Sequence, residues 1–123
     1  MQINMSLETF AEDGRFAPSR IATALRTTLD EVARTVGLGR DAVMRQDRIA
    51  SPKTQKRLRE MVEILNRVEP RFGSALIAYA WYRSEPLAGF GGLTAMQLVR
   101  EGHAADVLEY IDAVDAVDAG IHA

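Results

Sequence analysis

Apolar residues recur along this chain at spacings of three and four, and no stretch alternates apolar with polar long enough to read as a strand. The clearest stripe is Leu58, Met61, Val62, Leu65 and Val68, with Arg57, Arg59, Glu60, Glu63 and Arg67 covering the outer face of the same helix. A chain patterned this way closes its core by packing helices on helices. The expected fold class is therefore all-α, about seven short helices and no sheet. The 123 residues suffice for one domain, or two small halves sharing a core. Cysteine is absent, which excludes disulfides and thiolate metal ligands and makes a reducing cytoplasm the expected compartment.

Caps and breakers divide the pattern. Residues 1 to 15 read as a mobile segment with no signal peptide. Pro18 opens a helix to about residue 26. Thr28 and Glu31 spell a capping box for a second helix that Gly37 ends, and a third short helix runs from Arg40 to about Asp47. Ser51 and Pro52 start the long helix, which Pro70 is expected to close. FGSALIAYAWY, Phe72 to Tyr82, is apolar nearly all round yet short of the roughly 20 residues a bilayer requires, so it reads as a central buried helix running to Arg83 with Trp81 in the packing. Thr94 and Gln97 form another capping box, for a helix ending at Gly102. The last helix, about 104 to 119, is expected to turn Val107, Leu108, Ile111, Val114 and Val117 inward.

Charge is unevenly spread. The first 14 residues carry −3; residues 15 to 72 hold 13 Lys and Arg against 7 Asp and Glu, a surplus of +6; residues 73 to 123 carry −5. A basic middle and an acidic last third suit two surfaces for unlike partners. Within the basic block, Ala33, Gly37, Leu38 and Val43 stand where a helix-turn-helix needs its small crossing residue, its left-handed turn and its locking apolar residues. Its second helix would present Arg40, Asp41, Arg45 and Gln46, with Arg48 beyond and Lys53, Lys56 and Arg57 on the next helix, residue types that contact phosphates and base edges. Asp41 and Asp47 face phosphates with the wrong sign and keep open a helical interaction module that does not bind DNA.

The ordered set of Trp81, Pro86, Leu87, Gly89, Gly91, Gly92, Leu98, Gly102, Val107, Leu108 and Gly120 resembles the toxin-binding domain of the Xre/MbcA/ParS-type antitoxins. The likeness covers about residues 50 to 123, and more loosely an Xre-like helix-turn-helix upstream. The resemblance implies three regions: a mobile segment over 1–15, an Xre-like helix-turn-helix over 16–50 and a helical toxin-binding domain over 51–123. It also implies a homodimeric antitoxin, not an enzyme, that represses its own operator DNA and neutralises a toxin, in this family usually a RES-domain protein that depletes NAD⁺. Pro86, Leu87, Phe90, Asp112, Asp115 and Ile121 are the expected toxin contacts. The repeat IDAVDAVDAG aligns Asp112, Asp115 and Asp118 on one helical side, a departure that suggests a longer final helix.

Other chemistries find no support in the sequence. GFGG lacks a preceding strand and a G-K-[ST] ending, so it reads as a connector and not as a phosphate cradle. His103 and His122 have no companions at ligand spacing, so neither a metal nor a cofactor is expected. The pairs Glu60/Glu63 and Glu109/Asp112 lie on wet faces, and Ser74 and Ser84 have no His placed as base. No small-molecule substrate and no membrane partner are expected.

Overall fold

The structure, a computed structural model, describes residues 10–12 and 14–122, with side chains through Gly120. Helix α5, Pro52–Phe72, is the axis on which the three helices that follow it pack. Its start follows from local chemistry: the Ser51 hydroxyl accepts from the Thr54 amide at 3.2 Å, and Pro52 occupies a first-turn position where no donor is required. Leu58, Met61, Val62, Ile64, Leu65 and Val68 are buried along one side. Pro70 does not close this helix as expected. It sits exposed in the final turn, where a missing N–H removes a single bond, and the helix ends at Gly73 with φ 72°.

The Ser74 hydroxyl then caps α6, Ala75–Ser84, three residues later than its expected start. This helix is not enclosed. Ala78, Tyr79 and Tyr82 pack inward, whereas Ile77 is 53% exposed and Leu76 faces solvent, so α5 takes the centre expected of α6. Trp81 is half-buried against Phe72, ring centroids 6.0 Å apart. Helix α7, Ala95–Arg100, carries the expected capping box: the Thr94 hydroxyl accepts from the Gln97 amide at 3.1 Å and the Gln97 side chain accepts from the Thr94 amide at 2.9 Å. Helix α8, Ala104–His122, buries Ala104, Val107 and Ile111. Leu108 and Val114 are only half-buried and Val117 is 62% exposed, contrary to the expected inward stripe, because α8 outruns the body it packs on.

The N-terminal part adds α1, Pro18–Ala24, α2, Leu29–Thr35, α3, Arg40–Met44, and α4, Gln46–Ile49, giving eight helices among the described residues. Two further expectations are corrected here. A small antiparallel hairpin, β1 (Ala11–Glu12) with β2 (Arg15–Phe16), is present where no sheet was expected; its two-residue strands are too short to alternate. Phe10 is fully buried, and the Gln55 amide holds the hairpin by accepting from the Phe16 amide at 2.9 Å and donating to its carbonyl at 3.0 Å. The hairpin thus belongs to the body, while residues 1–9, the rest of the expected mobile segment, lie outside the described residues. The fold remains all-α in class.

Candidate functional site

The α2–α3 pair is where the sequence placed a helix-turn-helix. Thr28 caps α2 by accepting from the Glu31 amide at 3.1 Å, but Glu31 does not reach back. Its carboxylate instead takes Arg34 at 2.8 and 3.2 Å, and these bonds hold the Glu31 carboxyl below its ordinary pKa. Gly37 adopts φ 74° and the Leu38 amide returns to the Ala33 carbonyl at 2.9 Å, the tight turn that the Ala33–Gly37–Leu38 pattern predicts. Val43 is buried beneath α3.

The expected second helix is shorter than its spelling. It stops at Met44, Arg45 is extended (φ −95°, ψ 129°), and α4 begins anew at Gln46. Val43 and Ile49 are six residues apart, which in an unbroken helix turns them about 120° away from each other. Breaking at Arg45 lets both approach the body, and the Gln55 amide fastens α4 by donating to the Ile49 carbonyl at 2.9 Å.

The seven basic and polar candidates divide accordingly. Arg48, Lys53 and Lys56 are exposed and have no ion pair among the described residues. Arg48 and Lys53 share a hollow of about 280 Å³ between α3 and the start of α5, together with Asp41 and Ser51. Arg40 lies 3.2 Å from Asp30, and Arg45 lies 3.4 Å from Asp47, each exposed but matched by a carboxylate. Gln46 faces a separate hollow with Arg15 and Met44, so it does not join the others. Arg57 is turned inward: one of its nitrogens donates to the carbonyls of Val36, Val99 and Arg100 at 3.2, 2.6 and 3.1 Å. It is therefore committed to the interior rather than offered to phosphates.

At the other end, the loop between α6 and α7 folds back on itself. Leu87 and Leu93 are joined by a 2.9 Å backbone bond, and Pro86 bridges to Thr94. Gly91 and Gly92 have φ of 64° and 87°, and a Cβ at either would meet nothing within 4 Å. Their left-handed φ suits glycine and serves the path of the chain. Leu87 is only 2% exposed, which makes it a core anchor and corrects its placement as a contact residue. Pro86 is exposed, and Phe90 is half-buried edge-on to Tyr110 of α8 at 6.0 Å. Asp112 pairs with Arg67 and Asp115 with Arg71, while Asp118 lies 4.0 Å from Arg71. The aspartate side of α8 thus faces α5, exposed but engaged. The Ile121 side chain lies outside the described residues.

Three ties escaped the sequence reading: Gln55, Arg57 and the fully buried Tyr82, whose hydroxyl donates to the Thr35 carbonyl at 2.7 Å. Among the described residues, no three His, Asp or Glu side chains gather to hold a metal ion, and no helix is long and apolar enough to cross a membrane.

A comparison with protein families matches residues 59–116 to the antitoxin Xre/MbcA/ParS C-terminal toxin-binding domain. No curated protein and no solved structure matches the chain. The matched segment opens within α5, spans α6, the Leu87-anchored loop and α7, and closes on α8 beyond Asp115. Residues 59–116 are thus a domain of the Xre/MbcA/ParS antitoxin C-terminal toxin-binding family.

Proposed function

We propose that the chain is the antitoxin of a toxin–antitoxin pair and represses its own operator. It holds the toxin on loop 86 to 93 and α8, and DNA on the exposed cations of α4 and the start of α5. The partner is a RES-domain toxin acting on NAD⁺. The antitoxin is not an enzyme, works in the cytoplasm, and reads a two-fold operator as a homodimer. One observation carries the reading: α5 bears part of the toxin-binding domain and, at its other end, the exposed Lys53, beside Arg48, and Lys56, neither with an ion pair among the described residues.

Co-expression with the product of the adjacent reading frame tests the toxin arm, with co-purification and restored cellular NAD⁺ expected. The DNA arm is tested on a duplex from the chain's own upstream region. Arg48→Ala and Lys53→Ala are each expected to lower affinity and to reduce the salt slope by about one, leaving toxin co-purification intact. Loss of both bindings in a folded variant would overturn separate surfaces.

A second reading is favoured by the carboxylates on Arg40 and Arg45, and by an α3 of only five residues. In it the same fold serves protein interaction alone. The absence of duplex binding by the wild type at low salt decides for it.

A further inference from the structure

Three contacts converge on three consecutive residues, the last of α2 and the first two of the turn that follows it. Tyr82 of α6 holds the Thr35 carbonyl at 2.7 Å, and Arg57 of α5 holds the Val36 carbonyl at 3.2 Å. Gly37 backs onto α7 so closely that a Cβ there would stand 3.0 Å from the Arg100 Cα. The Arg57 nitrogen that holds Val36 also holds Val99 and Arg100 at the end of α7. Helix C-termini present carbonyls of partial negative charge, and the ends of α2 and α7 both point theirs at this one guanidinium. Without that cation the two ends would repel. The turn that sets α3 against α2 is therefore shaped from behind by residues 57 to 100, outside the helix-turn-helix itself.

We propose that Arg57 and Tyr82 are positioning residues for the DNA-contacting surface: they lock the α2–α3 turn onto the end of α7 and fix how α3 and α4 are presented. This rests on the DNA reading above and extends it, since two side chains that touch no nucleic acid then govern its affinity. It also makes the toxin-binding domain a working part of the helix-turn-helix. A role confined to stability would lower the melting temperature and leave affinity unchanged wherever the protein is fully folded.

The test uses Tyr82→Phe, which removes one hydroxyl and no charge, and Arg57→Met, which keeps an apolar stem and removes the cation. Binding to the upstream duplex is measured over a range of KCl at a temperature where circular dichroism shows both variants folded. Each is expected to lose about tenfold in affinity, the scale of one buried hydrogen bond, with the slope of log K against log salt unchanged. A slope reduced by about one in Arg57→Met would mean that Arg57 contacts a phosphate, and would overturn the proposal. Unchanged affinity in both variants would also overturn it. If the wild type binds no duplex, the DNA reading fails by itself, and the positioning is read from amide hydrogen exchange. Tyr82→Phe is then expected to speed exchange at Ala42 and Arg45, whose amides bond to Gly39 and Asp41, while Ile111 stays unchanged. Acceleration spread evenly over the chain, or none in α3, overturns it.

Discussion

A phenol in a dry interior resists ionisation, and burial raises the pKa of Tyr82 well above its ordinary value near 10. The folded chain keeps this proton where the unfolded chain releases it. The resulting stability is fully present below pH 10 and is lost as pH climbs from there toward the folded value. Between about pH 9 and 11, the urea midpoint of the wild type is expected to fall more steeply than that of Tyr82→Phe. Parallel falls would assign the loss to other groups. Arg57 teaches a second lesson at this scale. Its spelling reads as an outer-face cation, yet it borders the stripe of Leu58 and Met61, and a long side chain at such an edge can fold over into the core. That edge position was the available signal; the three carbonyls it would meet come from segments about 20 and 40 residues away, which no local pattern encodes.

Helix beginnings were legible because a cap is a contact between near neighbours. Thr28, Ser51 and Thr94 each accept from an amide three residues on, as their sequences indicate. Endings and breaks were less so: the extension past Pro70 and the interruption at Arg45 depend on what lies opposite, and β1 and β2 exist because Gln55 and Phe10 anchor them. Helix α8 shows an element with two regimes. Through Ile111 it is held by apolar burial, and beyond that mainly by the exposed pairs of Arg67 and Arg71 with its aspartates. Exposed pairs contribute about 0–1 kcal/mol and are screened by salt. Arg71→Ala is expected to speed amide exchange after Ile111 while lowering global stability by at most about 1 kcal/mol. A larger global loss would show that the end of α8 is part of the cooperative core.

For the molecule as a whole, the separation of charge along the sequence survives folding. The C-terminal aspartates find Arg67 and Arg71, and leave Arg40, Arg45 and Arg48 to the other end. The two halves nevertheless share one core, in which Val32 and Val36 join Met61 and Tyr82. Residues 1–50 made alone would lack those partners and the donors that satisfy Thr35 and Val36. Such a fragment is expected to show no cooperative thermal transition by circular dichroism, and a sharp melt would establish it as an independent domain. Helix α5 meanwhile sets a distance. From Lys53 to Arg71 it runs 18 residues, about 27 Å at 1.5 Å each. It is an unbroken rod, with prolines confined to its first and last turns. If the proposed DNA and toxin surfaces are correct, this length would keep a duplex at one end clear of a globular partner at the other. On the proposed reading, both partners would then fit at once, and an antitoxin so built would stay on its gene while holding its toxin.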